Sequence, residues 1–111
     1  MKSRDLSKTL RALGLCARAR GLVFGTPMIC EALQGKVKPA MVLCAEDNSE
    51  NTAKRLLDRT AFYQVPLVVL PCGGEELAHA VGKSGKLAAV AVCDENLCRL
   101  VSGTLEEETT I

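Results

Sequence analysis

A three-layer α/β/α sandwich around a mixed, partly parallel four-stranded sheet is the fold class that this 111-residue sequence predicts. Three observations lead there. Segments of helical period alternate with short apolar runs, in the order helix, then strand and helix four times over, and such alternation implies a sheet covered on both faces. Two of those runs, Ala40 to Ala45 and Leu87 to Cys93, are continuously apolar, as in strands buried on both sides. The length fits one domain, and a chain of this size buries roughly two-thirds of the surface its unfolded form exposes, so a core forms without a staple.

Leu6, Leu10, Leu13 and Ala17 recur at helical spacing and predict a first helix from about Asp5 to Ala19. Arg4, Lys8, Arg11 and Arg18 fall on its opposite face as one stripe. Leu22-Val23-Phe24 reads as a strand between Gly21 and Gly25. Thr26 then acts as an N-cap with Pro27 at the first helical position, and Gly35 stops this short helix after Gln34. After the strand ending at Ala45, Asn48 or Ser49 caps a third helix to about Tyr63, whose inward face is Ala53, Leu56, Leu57 and Thr60. Pro66 opens a second buried strand, Leu67 to Leu70. Gly73-Gly74 leads into a helix with Glu75 and Glu76 in its first turn, where carboxylates suit the helix dipole, and Gly82 ends it. The loop Lys83-Ser84-Gly85-Lys86 precedes the last strand, and Asp94 caps a final helix to about Val101. The expected organisation is a single domain over 1–101 and a flexible acidic tail over 102–111, which carries Glu106, Glu107 and Glu108.

No apolar run approaches a membrane span, and Lys8 and Arg11 interrupt the leucines that follow the basic start, so neither a membrane anchor nor a secretory signal is expected. A cytoplasmic location follows as the default. The 14 Lys and Arg nearly balance the 13 Asp and Glu, yet residues 1–40 carry +6 and residues 41–111 carry −5. Such a division suggests a local basic surface facing an anionic partner. The alternative is a solvated face whose charges cluster only in sequence.

The six cysteines lack Cys-x-x-Cys spacing, and most lie among apolar neighbours. They are expected to be buried reduced thiols, with no metal and no cofactor. His79 is expected to be a surface helix residue. Glu46-Asp47, at the carboxyl end of a strand, has the chemistry for a magnesium ion or acid–base work. The simpler reading has Asp47 help to cap the third helix. The chain offers no paired nucleophile, Walker loop or dinucleotide fingerprint, so it is read as no enzyme.

The segments LGLCARARGLVFGTPMICEAL, VLCAEDNSENTAKRLL, VPLVVL and EELAHAVGK together resemble the small bacterial YlxQ-like proteins of the ribosomal protein L-seven-Ae and L-thirty-e superfamily. The likeness runs from about Leu6 to Leu100. It implies a non-catalytic binder of structured RNA, often a kink-turn, in ribosomes, their assembly intermediates or other ribonucleoproteins. In kink-turn binders the second helix opens Gly-x-Asn-Glu-x-x-Lys. Here Gly25 is kept, while Pro27, Met28 and Glu31 replace the amide, the carboxylate and the cation that read purine edges and hold the backbone. What survives is the main-chain N–H array of the helix start. The resemblance also sets the turn with Arg18 and Arg20, and the loop with Lys83 and Lys86, beside that helix. The expected RNA-binding set is Arg18, Arg20, Gly25, Thr26, Pro27, Met28, Lys36, Lys83, Ser84 and Lys86. Contacts of this kind recognise shape and charge and weaken with salt. Loss of the base-reading groups also leaves open a protein-interaction module on the same scaffold. The sequence leaves the oligomeric state unassigned.

Overall fold

The computed structural model describes residues 6–109, with side chains described through residue 105. Its centre is β2 (Met41–Cys44), whose four residues are all buried. It pairs in parallel with β3 (Leu67–Val69) and antiparallel with β4 (Ala89–Val92), and β4 pairs antiparallel with β1 (Leu22–Phe24). The order β1-β4-β2-β3 makes a mixed sheet with one parallel pair.

Strand side chains alternate between faces, so each strand feeds two cores. Met41, Leu43, Val90 and Val92 join the core under α1 (Ser7–Arg18), α4 (Gly74–Ala80) and α5 (Glu95–Thr109). Val42, Cys44, Ala89 and Ala91 pack with Ile29 of α2 (Thr26–Gln34) and Leu56 of α3 (Glu50–Phe62). The three layers expected from the alternating pattern are therefore present. Each fully buried Val or Leu, on these strands or on the helices that cover them, contributes about 1.5–3 kcal/mol relative to exposure.

Several local expectations change once neighbours are in place. The helix α1 buries Thr9, Ala12, Leu13 and Cys16, and leaves Leu10 and Ala17 only partly covered. The stripe is rotated because α4 and α5 both pack on it, and the Thr9 hydroxyl meets that of Thr104 at 2.9 Å. Lys8, Arg11 and Arg18 are exposed as expected, and Arg4 lies outside the described residues. On α3 only Leu56 and Thr60 are buried; Ala53 is exposed and Leu57 is 57% exposed. β3 is an edge strand, not a buried one, and Val69 is 60% exposed. Most of all, α5 continues to Thr109 where the sequence predicts a tail from Ser102. Val101 is fully buried and Leu105 packs against the first core, so tertiary packing carries the helix past the end expected at about Val101.

Three helices end in the same way. At the close of α1 the Gly21 N–H donates to the Cys16 carbonyl (2.9 Å) and the Arg20 N–H to that of Ala17 (3.0 Å). At the close of α3 Val65 donates to Thr60 and Gln64 to Ala61, and at the close of α4 Lys83 donates to Ala78 and Gly82 to His79. This paired closure needs a left-handed residue just past the helix. Gly82 supplies it at φ +81, but Arg20 and Gln64 adopt φ values of 59 and 60 with full side chains. No turn residue in the sequence announces those two stops.

Candidate nucleic-acid interface

Because β1, β2 and β3 run one way and β4 the other, one end of the sheet collects the residues that follow β1, β2 and β3 and those that precede β4. Main-chain bonds knit this end. The Gly25 N–H donates to the Ala89 carbonyl (3.1 Å), the Ala45 N–H to that of Ala88 (2.9 Å), and the Glu46 N–H to that of Cys72 (2.9 Å). The Asn48 side-chain amide adds a second bond to the Ala88 carbonyl at 3.1 Å.

Gly25, not Thr26, is the residue that caps α2. Its φ of 86 and ψ of 151 lie in a region open essentially to glycine, and that turn swings the helix start out of the strand direction. Ile29 is the first N–H to bond back, to the Gly25 carbonyl at 3.0 Å. The Thr26 and Met28 N–H groups precede it with no acceptor inside the helix, while Pro27 has no donor at all. Thr26 is buried and Pro27 exposed, and Met28 is 55% exposed. Glu31 lies exposed one turn further on.

The loop after α4 returns to the same end. Lys83 sets its ammonium 4.5 Å from the centre of the Phe24 ring, so a cation is held beside the residue preceding Gly25. The Leu87 N–H bonds to the Gly74 carbonyl at 3.0 Å, which fixes the chain immediately after Lys86. Lys83, Ser84 and Lys86 are all exposed. Gly25, Thr26, Pro27, Met28, Lys83, Ser84 and Lys86 thus belong to one end of the sheet.

Arg18, Arg20 and Lys36 belong to the other. The register pairs Leu22 with Val92 and Phe24 with Val90, so the turn holding Arg20 sits at the opposite end of β1 from Gly25. At about 3.3 Å per residue, the extended stretch from Gly21, which follows Arg20, to Gly25 spans about 13 Å. Lys36 follows the far end of α2, near Ala40, whose N–H bonds to the Val92 carbonyl. The basic residues grouped in the first forty positions are divided by the fold, and loops from elsewhere in the chain supply the cations near Gly25.

Charge also varies across the first end. Beyond β2 and β3 lie Glu46, Asp47 and, in the first turn of α4, Glu75 and Glu76. Asp47 does not cap α3; Ser49 does, its hydroxyl accepting the Thr52 N–H at 3.2 Å. Asp47 instead accepts the Gly74 N–H at 3.0 Å and joins β2 to α4. Burial pushes the Cys72 thiol up to about 11, with Glu76, Glu46 and Asp47 adding to the effect. Among the described residues no group of three or more His, Cys, Asp or Glu side chains is arranged to hold a metal ion, and no helix is long and apolar enough to cross a membrane. Cys16, Cys30, Cys44 and Cys72 are buried, but Cys93 is exposed and Cys98 half-buried, so the expectation of buried thiols holds for four. His79 is an exposed residue of α4, as expected.

In this α/β sandwich, helix N–H donors and two lysines share one end of the sheet, a combination with the chemistry to hold an anion. Comparison with known proteins narrows the class. The chain is 31% identical over 94 residues to RNA-binding protein YlxQ of Bacillus subtilis strain 168, covering 85% of this chain and 91% of that relative. It is 29% identical over 90 residues to RNA-binding protein YlxQ of Enterococcus faecium, covering 81% and 85%. The chain belongs to the YlxQ family, in agreement with the resemblance read from its motifs. A solved structure of a protein of unknown function from Bacillus halodurans C superposes with a TM-score of 0.80 at 31% identity, covering 89% of this chain and 97% of the other. The Giardia lamblia 15.5kD RNA binding protein shares the fold, with a TM-score of 0.78 at 16% identity over 97% and 91% of the two chains. No family model matches the chain.

Proposed function

We propose that this protein is a non-catalytic, cytoplasmic binder of structured RNA, associated with the ribosome or its assembly intermediates. The observation that carries the reading is the convergence of the Gly25 turn, the free N–H groups of α2 and Lys83 at one end of the sheet, in a family whose relatives are named as RNA-binding proteins. A phosphate fits this arrangement because helix N–H groups and a partial positive dipole favour an anion, and Lys83, Ser84 and Lys86 extend the contact along a backbone. Cation–π contact with Phe24 costs Lys83 little, since it leaves the ammonium exposed to bind.

The base-reading side of the interface is altered. Pro27 and Met28 offer no donor or acceptor side chain to a purine edge, and Glu31 repels phosphate. Recognition therefore rests on RNA shape and on phosphate, with the exposed Met28 thioether packing on a sugar or base face in place of hydrogen bonds. The acidic groups Glu46, Asp47, Glu75 and Glu76 bound the RNA on the β2–β3 side and keep the interface local.

The test is filter binding of full-length protein to structured ribosomal RNA across a salt series. Lys83→Glu combined with Lys86→Glu weakens binding and lowers the slope of log affinity against log salt by about two, one for each phosphate deprived of its lysine. Unchanged affinity and slope would sink this reading. Retention of a protein ligand after ribonuclease and high salt would support the protein-interaction alternative.

A further inference from the structure

The opposite end of the sheet carries a second arrangement that the proposed interface does not use. Phe62, the last residue of α3, is 76% exposed although it is one of only two phenylalanines in the chain. Its ring is not loose: Tyr63 meets it edge to face, with ring centres 4.8 Å apart and planes at 86°. Lys38 is held in turn over the Tyr63 ring at 5.0 Å, and its ammonium donates to the Gly35 carbonyl at 2.8 Å. The left-handed Gln64, whose N–H bonds back to Ala61, ends the helix there and fixes the pair at the corner.

Further cations lie on the same helix and on the adjoining segment. Arg55, Arg59 and Phe62 recur at i, i+4 and i+7 on α3, so two guanidinium groups and the exposed ring share one face of the helix. Lys36 lies exposed beside Lys38 on the adjoining segment. Asp58, the carboxylate in this part of α3, is engaged by Lys54 at 3.6 Å. Asp94, at the same end of the sheet, accepts the N–H groups of Asn96 and Leu97 at the start of α5, on the other face.

We propose that Phe62 is a stacking platform for an unpaired RNA base, with Lys36, Lys38, Arg55 and Arg59 holding the phosphates of that single strand. A flat exposed ring flanked by cations matches the two features a single strand presents at each nucleotide, a π-face and a negative charge. A protein partner would match the ring but leave four cations to be desolvated or paired. The inference takes RNA as partner from the function proposed above, and adds a second contact on the far side of the sheet. RNA whose structured part rests at Gly25 reaches Phe62 only by an unpaired extension that passes around the body of the domain.

The experiment uses full-length protein and one RNA hairpin of ribosomal sequence, with and without an unpaired oligouridine extension, measured by fluorescence anisotropy. The extension tightens binding of the unaltered protein. Phe62→Ala removes roughly 5- to 150-fold of affinity for the extended RNA only, and Phe62→Trp keeps it. Lys36→Glu with Lys38→Glu has the same selectivity. If the extension adds nothing, or if Phe62→Ala keeps the full gain, the proposal is overturned. If sedimentation shows the unaltered protein self-associating and Phe62→Ala abolishing that while RNA affinity is unmoved, the patch is a protein contact and the proposal is overturned. The variant altered at Lys83 and Lys86 tests the other site separately: it weakens both RNAs alike, whereas failure of that site leaves the hairpin alone unaffected.

Discussion

The two ends of the sheet are built by different means. At the Gly25 end, main-chain groups of four strand termini bond to one another, and a glycine at φ 86 aims a helix start outward. At the Phe62 end, two helices stop on left-handed residues with full side chains, and the surface is organised by contacts among Lys38, Tyr63 and Phe62. An end made of backbone bonds tolerates changes of side chain, and this is why Pro27, Met28 and Glu31 stand at the start of α2 without disturbing the scaffold. An end made of side-chain contacts displays chemistry but depends on each residue that supplies it.

The contrast breaks most visibly at Gly25. Gly25→Ala meets no steric obstacle, since the nearest atom to the added carbon is Pro27 Cδ at 4.0 Å. Its cost is backbone strain, about 1–3 kcal/mol, measured as a lower midpoint in urea denaturation. Because relief of that strain re-aims α2, binding at this end weakens together with stability.

A pH series examines the acidic flank of the same end. Burial and the carboxylates of Glu76, Glu46 and Asp47 raise the Cys72 thiol from 9.0 to about 11. The folded protein therefore keeps a proton that the unfolded chain releases first. Stability from this group is complete below about pH 9 and falls as pH rises through about 11. Burial raises Cys16 and Cys44 in the same direction. Chemical denaturation between pH 8 and 11 is expected to show the decline, and Cys72→Ala makes it shallower.

The smallest effect lies at the other end. Gln64 adopts φ 60, a conformation glycine takes without penalty. Gln64→Gly removes that strain but gives the unfolded chain more freedom, for a net gain of less than about 1 kcal/mol in thermal melts. The RNA binding proposed for the Gly25 end is expected to be unaffected by it.

Much of this was legible in the residues themselves. Val-, Ala- and Leu-rich runs announced β2 and β4 because both faces of a central strand need apolar side chains, and Ser49 announced α3 because a hydroxyl satisfies an otherwise orphaned N–H. The inward face of α3 was less legible. Leu57 is apolar and follows the buried Leu56, yet it is exposed, because α3 turns only the narrow face of Leu56 and Thr60 inward. The exposure of the Phe62 ring was not legible, since it depends on which distant segments pack at the end of α3.

By itself the sequence determined the alternation of elements, the two-sided core, the glycine at the entrance to α2 and the family resemblance, all of which depend on residues close together in the chain. Only the tertiary structure decided the strand order β1-β4-β2-β3, and with it which cations stand near Gly25. Arg18 and Arg20 are near Gly25 in sequence, but an extended strand separates them from it, whereas Lys83 arrives from a distant segment because β1 pairs with β4. Local pattern sets what each segment becomes; long-range pairing sets which charges share a surface.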